Sequence, residues 1–127
     1  IEKGNPIQQV RVLNNIAKEV KEGRNYLIFP EGGYGRKNDN SMEDFKYACF
    51  LSAIKAKCPI IPVALIDSYK AFGENSLRRV YTKVIYLPEI PYEEYSHMKA
   101  QELSAYVQEK IRQEIEKQES KENTKIA

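Results

Sequence analysis

Tryptophan is absent, histidine occurs once and cysteine only twice in this 127-residue chain, and each scarcity closes a class of function. Two cysteines cannot staple a disulfide scaffold, and Cys49 and Cys58, nine positions apart, match neither a Cys-x-x-Cys pair nor a zinc spacing. Their apolar neighbours suit reduced core thiols in the cytosol. One histidine, with acids scattered along helix surfaces, makes no metal cluster. Long apolar runs are missing as well: the longest, residues 58–66, reaches nine positions even with both its prolines counted. A membrane-crossing helix needs roughly 18–20. Charge of one sign is also lacking, since 20 Lys+Arg face 18 Asp+Glu for a net charge of +2. With that balance no global electrostatic argument favours a phosphate backbone, whose footprint is a strong local excess of cations, and no nucleic acid partner is expected. The opening Ile-Glu-Lys-Gly-Asn-Pro has no initiator Met, apolar h-region or small-residue cleavage site. The expectation is a chain without a signal peptide, cut into partway through a domain.

What is present is one domain's worth of sequence, 42% apolar, enough to bury a core without disulfides or a structural metal. Val10, Leu13, Ile16, Ala17 and Val20 recur at helical spacing, predicting an amphipathic helix over 6–22 that Gly23 stops. Residues 26–29 (YLIF) are a short, wholly apolar run between turn residues, as in a strand covered on both faces of a parallel sheet. Residues 30–40 (PEGGYGRKNDN) hold three glycines and no aliphatic side chain, and so form a loop. Ser41 and Asp44 resemble a capping box opening a helix with an apolar face from Phe45 to Ile54, ending near Lys57. A second buried strand is expected over 59–66 (PIIPVALI), at an edge or bulged at Pro62, which lacks an N–H. A third is expected over 79–87, and a helix over 94–118 carries Leu103, Val107, Ile111 and Ile115 at steps of four.

The order helix, strand, helix, strand, strand, helix is an α/β arrangement with crossover helices. Three strands make a poor parallel sheet, so the expected fold is a partial one whose N-terminal half is missing. Residues 1–119 are read as the C-terminal portion of a domain, and residues 120–127 as a polar tail that frays.

Chemistry concentrates where the first expected strand runs into Pro30, Glu31, Gly32, Gly33, Tyr34, Gly35, Arg36 and Lys37. A glycine-rich loop at the carboxyl end of a buried strand lets backbone N–H groups approach an anion, and Arg36 and Lys37 supply countercharge. A phosphate-bearing ligand fits. No G-x-x-x-x-G-K-[ST] occurs, and Asn38 stands where a dinucleotide fingerprint needs its third glycine. An ordinary loop rich in turn formers has the same composition, so the pattern by itself leaves both readings open.

The segment NYLIFPEGGYGR followed by FKYACFLSAIKAKCPIIPVALI resembles the glycerolphosphate acyltransferase family, especially the 1-acyl-sn-glycerol-3-phosphate acyltransferases of phospholipid synthesis. The family's Phe-Pro-Glu-Gly-Thr-Arg-Ser block is matched by Phe29-Pro30-Glu31-Gly32, a phenylalanine-lysine helix follows, and its Pro-Ile-Val-Pro-Val-Ala-type strand is matched by residues 59–64. Ile1-Glu2-Lys3 resembles the end of the family's Ile-Asp-Arg block, so the resemblance covers residues 1 to about 91. It implies acyl transfer from a thioester, acyl-CoA or acyl-carrier protein as co-substrate with no further cofactor, to a glycerol phosphate hydroxyl. It also implies a lipid substrate met at the cytoplasmic face of the membrane by the intact protein. In the family a His-x-x-x-x-Asp pair performs the proton transfer, the histidine as general base and the aspartate as its orienter.

That pair is expected upstream of Ile1, which leaves no catalytic residue in this chain and an inactive fragment. The substrate-binding roles carry over to Lys3, Glu31 and Gly32, with Gly33 and Arg36 completing the loop. Gly33-Tyr34-Gly35 stands where the family has Thr-Arg-Ser, and Lys3 replaces an arginine, keeping the charge without the bidentate fork. His97 and Glu102 mimic the His-x-x-x-x-acid spacing but follow the Pro-Ile-Ile-Pro strand, the reverse of the family's order, and are read as a solvated helix start. Cys49 lies on an apolar face with nothing to raise its thiolate fraction. A second function fits the altered loop: a non-catalytic module on the same scaffold that binds a phosphate or a partner.

Overall fold

The structure, a computed structural model, describes residues 5–33, 38–73 and 77–126. Helix α1 spans Pro6–Lys21. Asn5 caps it, its Oδ1 accepting the N–H groups of Ile7 at 3.1 Å and Gln8 at 3.3 Å, and Gly23 ends it at φ 97°. This helix packs on α2, Leu51–Ala56, through its buried Ala17.

The expected strand over 26–29 does not form. Residues 24–29 form neither helix nor strand, and their side chains stand in solvent, Leu27 72% and Phe29 65% exposed. A strand needs a neighbour to take its N–H and C=O groups, and no described segment pairs with this one.

The next helix also starts late. Residues 41–46 are not helical; a 3-10 turn, Tyr47–Phe50, leads into α2. Ser41 donates its N–H to the Asp39 carboxylate at 2.9 Å, so the expected capping box is replaced by a turn reaching backwards. The physical reason is competition: the N–H groups of Glu43 and Lys46 are taken by the preceding loop.

Strand β1, Val63–Ile66, pairs antiparallel with β2, Lys83–Tyr86, in the register Val63↔Tyr86 to Ile66↔Lys83. The mixed helix and strand content is as expected; the pairing is antiparallel rather than parallel. The proline works as anticipated. Pro62 interrupts the ladder, leaving an isolated Ile60↔Ile90 bridge before it and offering only its carbonyl, which accepts from Leu87 N–H at 2.9 Å.

Short helices α3, Lys70–Gly73, and α4, Tyr92–Tyr95, precede α5, Ala100–Ile126. The predicted period of four holds: Leu103, Val107, Ile111 and Ile115 are buried against Phe50, Ala64, Ile66, Ile90 and Tyr95. Each buried aliphatic side chain contributes about 1.5–3 kcal/mol. The expected fraying tail is instead the continuation of α5, and Lys83 Nζ reaches Glu122 Oε1 at 2.8 Å. Tyr95 is fully buried and its hydroxyl donates to the carbonyls of Ala53, at 3.2 Å, and Cys58, tying the end of α2 to α4.

Candidate functional site

Residues 29–32 close a turn. Pro30 presets its first corner, and the Gly32 N–H donates to Phe29 C=O at 3.2 Å. Gly32 follows at φ 72°, a conformation glycine adopts at little cost. The turn is stitched to the segment before the 3-10 helix at two points: Lys46 N–H donates to Pro30 C=O at 2.9 Å, and Glu43 N–H donates to Glu31 Oε2 at 2.8 Å. Helix α5 backs that segment, with Gln108 Nε2 donating to Glu43 C=O at 3.2 Å.

Of the residues assigned to binding from the sequence, Glu31, Gly32 and Gly33 come together at this turn. Lys3 and Arg36 lie outside the described residues. Glu31 is half-buried, and one of its carboxylate oxygens is committed to a backbone donor, so this carboxylate orients the loop.

Two features of the site were not read from the sequence. The first is Lys46, whose side chain lies over Gly32: a Cβ placed on that glycine would stand 2.5 Å from Lys46 Cε. The signal was the phenylalanine-lysine pair itself, to which no role had been given. The second is a clamp at the far end of the loop. Asn40 Oδ1 accepts the Asp67 N–H at 2.7 Å, while its Nδ2 donates to Asp67 Oδ1 and to Glu119 Oε1, each at 3.1 Å. Asp67 follows β1 directly at φ 60°, a left-handed conformation that the clamp holds in place. Burial alone would raise the Asp67 carboxyl, but hydrogen bonds from Lys70 and Asn40 and the charges of Lys70 and Lys83 outweigh it and hold the group below its ordinary value. Lys70 is raised in turn, chiefly by its bond to Asp67, with which it makes a 3.0 Å ion pair.

The remaining chemistry-bearing residues have structural employment. His97 is exposed, and Glu102 Oε2 accepts the Lys99 N–H at 3.2 Å, acting as the reciprocal cap of α5 rather than as partner to an imidazole. Burial raises the thiols of Cys49 and Cys58 above their ordinary values, which disfavours thiolate chemistry at both. Among the described residues no group of three or more His, Cys, Asp or Glu could hold a metal ion, and no helix is long and apolar enough to cross a membrane. A surface cleft of about 260 Å³ beside α5, lined by Leu87, Pro88 and Lys110 among others, shares no residue with the turn.

Comparison with known proteins agrees with the loop. The chain is 30% identical over 79 residues to a 1-acyl-sn-glycerol-3-phosphate acyltransferase of Cocos nucifera, covering 61% of this chain and 25% of that protein. It is 32% identical over 71 residues to the chloroplastic 1-acyl-sn-glycerol-3-phosphate acyltransferase BAT2 of Brassica napus, covering 56% and 20%. The chain thus spans a quarter or less of the length of these curated relatives. In three dimensions it resembles the crystal structure of the 1-acyl-sn-glycerophosphate acyltransferase PlsC from Thermotoga maritima, with a TM-score of 0.69 at 22% identity over 86% of this chain and 44% of that one. At that identity the likeness is one of fold. A family model described as acyltransferase matches residues 1–66, just over half the chain and the part that contains the turn, and on that match the chain belongs to the acyltransferase family.

Proposed function

We propose that these residues form the acceptor-binding part of an enzyme that moves a fatty acyl group from acyl-CoA or acyl-carrier protein to the hydroxyl of a lysoglycerol phosphate, as in phospholipid synthesis. The observation that carries the reading is the 29–32 turn, where Glu31 is held by the Glu43 N–H at 2.8 Å and the Lys46 side chain lies over Gly32. The curated relatives are named for that acceptor.

The reaction needs a base to take the acceptor proton as the hydroxyl oxygen attacks the thioester carbonyl. The carbon–sulfur bond then breaks, and the proton is delivered to the departing thiolate. His97 is unsuited, since the acid at the right spacing is engaged in capping α5. The general base and its orienting aspartate therefore come from outside these 127 residues in this reading. The acyl thioester is a co-substrate and no other cofactor is invoked. The acyl chains of donor and product place the reaction at a membrane surface, on its cytoplasmic face.

The test is an assay of the complete polypeptide that the gene encodes around these residues, following CoA release that depends on lysophosphatidate. Turnover supports the enzyme; its absence, with phosphate binding retained, supports the non-catalytic module. The 127-residue chain alone is expected to release no CoA above a heat-treated control, and release would overturn the assignment of the base to other residues. Glu31→Ala is expected to reduce activity more than Arg36→Ala.

A further inference from the structure

We propose that Lys46 supplies the positive charge that receives the acceptor's phosphate at the 29–32 turn, making it a specificity-determining residue; the inference rests on the function proposed above. Lys46 is fastened to the turn through both backbone and side chain. Its N–H donates to Pro30 C=O at 2.9 Å. Its stem crosses Gly32 so closely that a Cβ there would lie 2.5 Å from Cε, 3.2 Å from Cδ and 3.6 Å from Nζ. The absence of a side chain at position 32 therefore serves two ends: it permits φ 72°, and it leaves the space in which the lysine lies.

Beside it, a Cβ on Gly33 would meet nothing within 4 Å among the described residues other than its chain neighbours. Lys46 is exposed, and the ion pairs among the described residues do not include it. Glu31, the acid of the turn, directs an oxygen to the Glu43 N–H instead. An ammonium positioned by its own stem and backbone, with three donors and no paired carboxylate, suits a phosphate dianion, and anchoring it lowers the entropy lost on binding. The same cation gives nothing to an uncharged glyceride, so it would separate phosphorylated from unphosphorylated acceptors.

Two measurements test this. In the first, inorganic phosphate is titrated into the 127-residue chain and followed through the Gly32 and Gly33 amide resonances, for wild type, Lys46→Met and Lys46→Arg. Saturable binding is expected in wild type, weakened about 10- to 100-fold in Lys46→Met, the loss of one charge-assisted hydrogen bond, and largely kept in Lys46→Arg. Thermal midpoints should not differ, because the side chain is exposed. In the second, the complete polypeptide carrying Lys46→Met should show a lysophosphatidate KM raised by a similar factor and by more than its donor KM, with Lys46→Arg restoring most of the loss. No saturable phosphate binding by wild type, or equal binding by Lys46→Met, overturns the role of Lys46 whatever the enzyme does. Phosphate bound through Lys46 by a polypeptide that transfers no acyl group overturns the functional reading and leaves the phosphate subsite standing.

Discussion

Two apolar runs of similar composition meet opposite fates in this molecule. In β1 (VALI), Ala64 and Ile66 are fully buried beneath α5. In the 26–29 run (YLIF), every side chain is exposed. The same contrast divides the hairpin: Ala64 and Ile85 face α5, while the opposite face offers Leu65, Val84 and Tyr86 to solvent, Tyr86 at 73%. Apolar composition marks a segment that can be buried, and burial itself requires an element placed to cover it.

The comparison can be broken most strongly at the covered side. Leu103→Ala should cost about 2–5 kcal/mol by leaving a cavity beneath β1, whereas Leu27→Ser should shift stability by no more than about 0.5 kcal/mol; urea melts of the two variants decide. Equal losses would mean that the 26–29 run is covered in solution. Next in size, Tyr95→Phe removes the donor shared by the Ala53 and Cys58 carbonyls and should cost about 1–3 kcal/mol with little change in packing, again by urea. Lys57→Gly should instead stabilise, by at most about 1 kcal/mol, because Lys57 ends α2 at φ 53°; a lower melting midpoint would argue that its side chain makes a compensating contact.

The smallest expected effect concerns pH. The folded Asp67 carboxyl lies below its unfolded value, so its stabilising contribution is complete above the unfolded carboxylate range, near pH 4, and is lost as pH falls through the lower folded value. Asp67→Asn should flatten that acid limb in melts below about pH 4. An unchanged limb would show that the Asn40 clamp, not the ion pair with Lys70, holds the end of β1.

Legibility in the sequence followed the range of the interactions involved. The spacing of Leu103, Val107, Ile111 and Ile115 is a local signal, and α5 buries all four. Pro62 removes its own N–H whatever surrounds it, and the ladder breaks there. The loop that opens at Pro30 was likewise visible, since proline and glycine dictate local geometry. The helix expected from Ser41 failed because residues twelve or more positions earlier in the chain took its first N–H groups, Glu31 that of Glu43 and Pro30 that of Lys46. Lys46 escaped notice for the same reason, because its contact with Gly32 exists only once that segment folds back.

The sequence by itself determined where the chain turns, which helix faces are apolar, and that a glutamate–glycine loop resembling an acyltransferase block follows Phe29, because these depend on side chains and dihedral limits within a few residues. Only the tertiary structure decided that β1 and β2 run antiparallel, that 26–29 stands uncovered, and that Lys46 lies against Gly32. Each of those depends on which distant backbone supplies a hydrogen-bond partner or a covering surface, and local pattern carries no information about that choice.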